Sequence, residues 1–406
     1  MKDRRHEHDQ GQEETRSQRL LFSRTKNTLP ADSCPMGIPE ILTMIFSFLD
    51  KTSLLALASV SRVWHQAALP LLWRSLYHPS LSPEFMTELS KNGCHVQQLD
   101  LILMTVGNSC SVVPTELTRI LQTTPRLKNL KLQLSHGATP ETISSLLRTI
   151  SSLLASQLEA LTLGIGELNQ EDAREFFGRL HAIKKLELIQ CATPVVLMAI
   201  ADAQLEHPSG LCHFSTTIHR SGGIPLAFAF PQERNFDNAA LLYLGNGLKN
   251  LDHLSIIHNN RLTADGLIDF ASITTGLTRL KLECCADIGP PGFEALIRAS
   301  PSLREVRLGH TQADDQTLMA LTTPPTRAAM LKVLSVSRCH RITSFGIQSI
   351  VKLCANLLEL DFALSPNVTV EIFEEPAWEC SKLQKLLMDD IFQYSVAEPA
   401  PVQPVP

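Results

Sequence analysis

The chain has 406 residues, a formal net charge of −5 and ten cysteines, and 44% of its residues are hydrophobic. This length allows more than one compact domain or one long solenoid. We expect no transmembrane helix, because no run of 18 apolar residues occurs, and no secretory signal, because the start MKDRRHEHDQ is charged. The mild charge and the three tyrosines give little support to nucleic-acid binding.

We expect residues 1–35 to form a disordered tail, since ten of the first 19 residues are charged and no apolar periodicity is present. At the other end, residues 392–406 are rich in proline, which predicts an extended and mobile tail. The repeating part of the chain is therefore expected to lie between these two tails.

Residues 36–76 differ from the tail, because apolar side chains recur there at helical spacing and predict three short helices. Pro39 suits a first helical turn, and Asp50 to Ser53 supply cap candidates for the second helix. Three helices in about 40 residues make a very small core. Phe46, Phe48 and Trp64 cannot all face inward together with the surrounding leucines, so we expect part of this surface to bind a partner. The alternative is that these helices only cap the rest of the fold.

Residues 77–391 repeat a strand-and-helix pattern with a period near 26 residues, which lies in the range of leucine-rich repeats. In about eleven units, 32 of the 33 first, fourth and sixth positions are apolar, whereas composition alone would give about 15. Each unit begins with an alternating strand and continues with a helical stripe. The units start at Val96, Leu127, Leu158, Ile183, Leu211, Leu251, Leu277, Leu303, Leu331, Leu357 and Leu383.

This pattern predicts an α/β leucine-rich-repeat solenoid, with a curved parallel sheet inside and helices outside, preceded by a small all-α three-helix segment. The spacing reaches 40 residues between Leu211 and Leu251, where an irregular insertion near 219–238 is rich in Gly and Pro. A strand is expected at residues 226–230 within it. The insertion is either a degenerate repeat or a binding loop.

Several cysteines occupy fixed columns of the repeat, since Cys191, Cys285 and Cys339 each fall eight residues after a repeat start. This placement predicts buried, reduced thiols that pack as small hydrophobes, and with the missing signal peptide it indicates the cytosol, the nucleus or both. No ligand cluster with zinc spacing occurs, and no motif calls for a cofactor.

Residues 36–76 resemble an F-box, whose usual pattern is Leu-Pro-x-Glu-Ile-Leu, then Ile-Phe-x-x-Leu, then Leu, Val and Trp. This chain has Glu40-Ile41-Leu42, Ile45-Phe46, Leu49, Leu54, Val60 and Trp64. It departs at the start, where Gly37-Ile38 replace Leu-Pro and Pro39 comes one place later. An F-box followed by cysteine-containing repeats resembles the F-box/leucine-rich-repeat proteins of SCF ubiquitin ligases.

The resemblance implies binding to a Skp-type adaptor, and through it to cullin and RING subunits. The residues that it assigns to the adaptor are Ile38, Pro39, Glu40, Ile41, Leu42, Ile45, Phe46, Leu49, Leu54, Leu57, Val60 and Trp64.

A protein substrate would bind the concave face, where the third, fifth and seventh residues of each strand are exposed. The candidates there are His253, Arg279, Lys281, Glu283, Glu305, Arg307, Glu359 and Asp361. Arg279, Lys281 and Arg307 would make a basic patch for an acidic or phosphorylated segment. The alternative is that Glu283 and Glu305 pair with these bases and neutralise the patch.

The sequence thus favours a substrate-recognition subunit of an SCF-type ubiquitin ligase that performs no catalysis itself. A non-degradative interaction scaffold with a weak or vestigial F-box is the alternative, and Gly37-Ile38 favour it. An enzyme is disfavoured, since the chain lacks a Gly-rich phosphate loop, a paired-carboxylate motif and a nucleophile motif.

Overall fold

The computed structural model describes residues 39–77, 82–103, 105–106, 109–110, 114–134, 139–165, 168–217, 236–373 and 378–388. The two expected tails, residues 36–38, and almost all of the insertion with its expected strand lie outside these residues. The chain divides into two compact units, Met1–Lys185 and Leu186–Pro406, and each is described by itself. None of the described helices is both long and apolar enough to cross a membrane.

The first unit begins with three short helices, which we call the helical segment: α1 (Pro39–Phe46), α2 (Lys51–Ala58) and α3 (Arg62–Trp73). Asp50 caps α2 by accepting a hydrogen bond from the Ser53 amide at 2.9 Å. Ser61 caps α3 in the same way through the Trp64 amide at 3.3 Å. Side-chain oxygens at these positions satisfy amides that have no partner inside a helix, so the two caps define where the helices begin.

The helical segment continues directly into the repeats. Strand β1 (Ser75–Tyr77) begins two residues after α3, and Trp73 stacks on Phe85 of the next helix with ring centroids 6.3 Å apart. The Lys51 ammonium donates to the Ser75 carbonyl at 3.3 Å and lies 4.5 Å from the centre of the Tyr77 ring. Helices α2 and α3 therefore pack directly on the first strand and on the helix that follows it.

The rest of the first unit alternates strands and helices. The elements are α4 (Pro83–Asn92), a 3-10 turn (Gly93–His95), β2 (Gln98–Leu103), β3 (Thr105–Val106), β4 (Ser109–Cys110), α5 (Pro114–Thr123), β5 (Asn129–Leu134), α6 (Pro140–Leu154), β6 (Ala160–Gly164) and α7 (Gln170–Arg179). Strands β1, β2, β5 and β6 pair in that order, all parallel, while β3 and β4 form a short antiparallel hairpin. The 15-residue α6 and the hairpin account for the long repeats that the sequence shows here.

Strand β7 (Lys185–Ile189) spans the boundary in sequence, and the second unit then continues the alternation. The elements are α8 (Pro194–Glu206), β8 (His213–Thr217), α9 (Asn238–Gly247), β9 (His253–Ile257), α10 (Ala264–Ile273), β10 (Arg279–Glu283), α11 (Pro290–Ala299), β11 (Glu305–Arg307), α12 (Asp315–Thr322), α13 (Pro325–Ala328), β12 (Val333–Ser335), α14 (Ser344–Leu353), β13 (Glu359–Asp361), a 3-10 turn (Val370–Phe373) and β14 (Lys385–Leu387). Strands β8 to β14 pair in chain order, all parallel. The predicted α/β solenoid behind three helices is confirmed.

Each regular repeat of the second unit ends its strand in the same turn. The residue seven places after the repeat start has a positive φ, as in His258 at 62° and Arg338 at 58°, and the next residue is buried. Asn259 there donates to the Phe236 carbonyl at 3.0 Å, and Cys339 donates through its thiol to the Leu308 carbonyl at 3.2 Å. This column therefore satisfies backbone groups at the turn, as expected for buried polar atoms.

Burial makes three thiols of the second unit unreactive. It raises the pKa of Cys285 and of Cys354 to about 12 and also raises the pKa of Cys339. Only a thiolate reacts quickly with disulfide reagents, so these three cysteines hold almost no reactive form at neutral pH. Cys94, in contrast, is exposed.

We expect an aromatic disulfide reagent at about pH 8 to modify Cys94 rapidly in the folded chain and to leave Cys285, Cys339 and Cys354 unmodified until denaturant is added. Peptide mass mapping before and after unfolding measures this order. Rapid modification of Cys285 in native buffer would contradict the buried column.

Candidate functional site

Helix α1 carries two apolar faces. Its inner face holds Leu42 and Phe46, which are buried, and Phe46 packs on Trp64 of α3. Its outer face continues into the following turn and exposes five large apolar side chains at i, i+3, i+4, i+7 and i+8 spacing: Ile41, Met44, Ile45, Phe48 and Leu49. We call these five residues the outer stripe.

The outer stripe is unusual for a surface, because single exposed hydrophobic residues are common but contiguous large ones mark interaction sites. Phe48 is 86% exposed, and fully burying such a side chain stabilises by about 1.5–3 kcal/mol. Val60, in the turn between α2 and α3, is also exposed. The stripe therefore has apolar area whose burial by a partner would be favourable.

Buried contacts underneath hold the outer stripe in place. The Phe46 and Trp64 rings meet edge to face with centroids 5.5 Å apart, which joins α1 to α3. The Thr43 hydroxyl donates to the Ala67 carbonyl at 3.3 Å across the same pair of helices. The His65 ring lies 3.2 Å, through Nδ1, from the Ala58 carbonyl and joins α3 to α2. A preorganised surface of this kind loses less conformational entropy on binding than a mobile one.

The structure divides the residues that the sequence assigned to adaptor binding. Glu40, Ile41, Ile45, Leu49 and Val60 are exposed, while Leu57 and Trp64 are half-buried. Leu42, Phe46 and Leu54 are buried in the core of the helical segment and support the surface without forming it. The backbone of Pro39 begins α1, and Ile38 lies outside the described residues.

Met44 and Phe48 belong to the outer stripe, although the F-box resemblance does not assign them to the adaptor. Their spacing from Ile41 and Ile45 predicts a shared surface, because residues three and four apart lie on one helix face. The F-box pattern leaves positions 44 and 48 unspecified, so the resemblance does not include them.

A second candidate surface is the open face of the second unit's sheet, formed by the third, fifth and seventh residues of each strand. Arg307 donates to Glu305 at 2.8 Å and pairs with Glu359 at 3.4 Å. Lys385 pairs with the same Glu359 at 3.2 Å, and the Ser335 hydroxyl donates to Asp361 at 2.7 Å. Strands β11, β13 and β14 thus share one network of ion pairs, and β12 is joined to β13 by a separate hydrogen bond.

The ion pairs shift the pKa values of Glu359 and Arg307. Burial would raise the pKa of Glu359, but hydrogen bonds from Lys385 and Arg307 outweigh it and bring that pKa below the ordinary value. Burial would lower the pKa of Arg307, and its bonds to Glu305 and Glu359 raise it above the usual value instead. Because the pKa of Glu359 is depressed, its pairing stabilises the fold above the ordinary carboxylate range, and this contribution is lost as the pH falls through the lowered value.

The basic patch expected on this face is largely neutralised. Lys281 lies 3.3 Å from Glu283, and Arg307 is held by Glu305, as the alternative interpretation of the sequence anticipated. Arg279 differs from both, since it is exposed and forms no ion pair with a described residue. His253, also expected on this face, is half-buried, and its ring stacks on the His213 ring with centroids 3.7 Å apart.

Among the described residues, no group of three or more His, Cys, Asp or Glu side chains is placed to hold a metal ion. The two candidate surfaces are an apolar stripe on small helices and a polar face of the sheet.

The F-box-like family model matches residues 39–79, so the helical segment is an F-box-like domain at the front of an α/β solenoid. No curated protein matches the sequence.

Two solved structures contain chains with some similarity to this one. The complex of Rad7 and Elc1 in yeast contains a chain that is 15% identical, with a TM-score of 0.49, covering 86% of this chain and 92% of that one. The Toll–Spatzle complex of Drosophila contains a chain that is 12% identical, with a TM-score of 0.38, covering 59% of this chain and 29% of that one.

Proposed function

We propose that this protein is the substrate-recognition subunit of an SCF-type ubiquitin ligase. Its F-box-like helices bind a Skp-type adaptor, which brings cullin and RING subunits, and its solenoid of leucine-rich-repeat type binds a protein that is to be ubiquitinated. The observation that carries the proposal is the exposed outer stripe on α1 of an F-box-like domain.

The chemistry of the outer stripe supports this assignment. Interfaces rely on a few large side chains in a central apolar patch, and Phe48, Ile45 and Met44 are of that kind. In this proposal the chain itself does no catalysis, since the ligase's other subunits carry the reaction. It works in the cytoplasm, the nucleus or both.

The test is co-expression with a Skp-type adaptor followed by size-exclusion chromatography. We expect the wild type to elute as a stoichiometric complex. The Ile45→Ala, Phe48→Ala double variant should lose it, because truncating a central interface residue costs about 2 kcal/mol or more and two such losses weaken binding about a thousandfold.

The matched control is Ile268→Ala, Phe345→Ala, which removes the same two residue types from exposed positions on α10 and α14. It should bind the adaptor like the wild type. A folded, monodisperse wild type that ignores the adaptor would overturn the proposal. If the adaptor binds but cellular levels of captured partners do not change on expression, the non-degradative scaffold would replace the ligase receptor.

A further inference from the structure

The last repeat leaves apolar side chains partly uncovered at the end of the core. Leu383, Leu386 and Met388 hold its first, fourth and sixth positions, and all three are half-buried. The same positions of the two preceding repeats face the core and are at most 1% exposed: Leu331, Leu334, Val336, Leu357, Leu360 and Phe362. None of the described helices and strands follows β14 in the chain. We call Leu383, Leu386 and Met388 the uncovered end.

The uncovered end is also an edge of the sheet. On one side of β14 the Phe362 amide donates to the Leu387 carbonyl at 3.1 Å, and no described strand pairs with its other side. Each repeat of a solenoid buries its apolar face only against its neighbours, so a terminal repeat needs a cap with a polar outer surface. An edge without a cap can pair with another segment or another chain.

The chain itself supplies a segment at this place. Residues 389–406 follow Met388 directly. A segment attached by a short flexible linker has an effective concentration in the millimolar range at a neighbouring site. Residues 389–406 therefore compete strongly with a second copy of the chain or a separate partner for the uncovered end.

The register of the repeats continues into this segment. In each of the five preceding units the residue eight places after the repeat start is buried: Asn259, Cys285, Thr311, Cys339 and Ser365. In four of these units the residue eleven places after the start is also buried: Leu262, Ile288, Ile342 and Val368. Counted from Leu383, the same two positions hold Ile391 and Tyr394. Both are apolar or aromatic, as a buried position requires.

Two further positions of the segment fit the same register. The residue seven places after the start has a positive φ, between 55° and 62°, in all five preceding units, and Asp390 holds that position in the last one. Aspartate adopts the left-handed conformation more readily than most residues. The residue nine places after the start is exposed in four of the five units, and Phe392 holds that position in the last one.

We propose that residues 389–394 complete the last repeat and cover the uncovered end, with Ile391 and Tyr394 packed inward and Phe392 on the outer side. Ile391 then lies beside Ser365, and Tyr394 beside Val368, the residues of the same columns in the preceding unit. A tyrosine suits the end of a core, because its ring buries apolar area while its hydroxyl reaches water. The Pro-rich tail begins after this turn. This proposal does not depend on the proposed function.

The test is hydrogen exchange with mass spectrometry on the full chain. We expect the amides of residues 389–394 to exchange about a hundredfold more slowly than in an unstructured peptide, since opening of the turn would be required. Ile391→Ser with Tyr394→Ser should abolish this protection and also speed exchange in β14. The matched control is Phe392→Ser, which removes a large apolar side chain from the same segment and should leave both rates unchanged.

Two results of this experiment would overturn the proposal. One is exchange of residues 389–394 at the unstructured rate in the wild type. The other is an equal effect of Phe392→Ser and the Ile391, Tyr394 variant, because the register decides which side chains face inward. Light scattering and exchange at about tenfold dilution identify a second copy as the cover, since protection would then disappear as a dimer dissociates. That outcome also overturns the proposal. None of these readouts requires the adaptor, so they are separate from the test of the proposed function.

Discussion

Replacing Phe46 by Ala should unfold the F-box-like domain, whereas replacing Phe48, two residues later, should leave it folded. Phe46 is 3% exposed and packs against Trp64, so its removal costs about 3–5 kcal/mol in lost burial and cavity formation. Phe48 lies on the outer stripe, and surface substitutions usually stay within about 0.5 kcal/mol. Such a large difference between two neighbouring phenylalanines is the direct consequence of the two faces of α1.

Urea unfolding followed by tryptophan fluorescence measures this difference, because Trp64 and Trp73 both lie in α3. An early transition in Phe46→Ala and a wild-type curve in Phe48→Ala are the expected results. Similar unfolding curves for Phe46→Ala and Phe48→Ala would contradict the packing of α1 described above. The pair also matters for adaptor binding, since only Phe48→Ala removes contact area without removing the fold.

Arg327 is the second residue whose replacement should have a large effect. This residue is buried, with 5% of its surface exposed. Its guanidinium donates to three backbone carbonyls: Ala320 at 2.9 Å, Arg298 at 3.2 Å, and Thr323. These carbonyls lie at the ends of α11 and α12, where helical partners are missing. Arg327→Ala would remove the donor to the buried Ala320 carbonyl and to the two partly buried ones. Losing the partner of a buried group costs about 1–3 kcal/mol.

We therefore expect Arg327→Ala to destabilise the second unit by about 3 kcal/mol or more. Circular dichroism during urea unfolding measures the loss. Arg327→Lys keeps the charge but has one nitrogen, so it should recover only part of the stability. Arg304→Ala, at an exposed position, serves as the control and should be close to neutral. Wild-type stability of Arg327→Ala would show that water or other donors satisfy these carbonyls.

The solenoid could be predicted from sequence because the pattern that specifies each repeat lies between residues close together along the chain. Leu254 and Ile256 alternate with His253 and Ser255, and period two places the first pair inward in any sheet. The column residues Asn259, Cys285 and Cys339 were also predictable, since a fixed distance from the repeat start places them in the same turn. The hairpin β3–β4 was not predicted, because residues 104–113 carry no strong alternation.

The candidate surfaces were only partly predictable. Sequence spacing showed that the helical segment has more large apolar residues than its core can hold. It did not show that Leu42 and Phe46 face inward while Ile45 and Phe48 face outward, because both pairs fit a helical stripe. The direction in which α1 presents each face is set by α3, through contacts with Trp64 and Ala67.

By itself, then, the sequence determined the order of strands and helices and the residues facing the repeat core. It also determined that the helical segment has more large apolar side chains than its core can hold. Each of these features depends on neighbours along the chain. Only the tertiary structure decided the charge balance of the open face. Arg307 meets Glu359 across 52 residues of sequence, and Ser215 meets Ser255 across 40, because parallel pairing brings equivalent positions of different repeats side by side. Such contacts depend on the register between strands, which no local pattern in the sequence records.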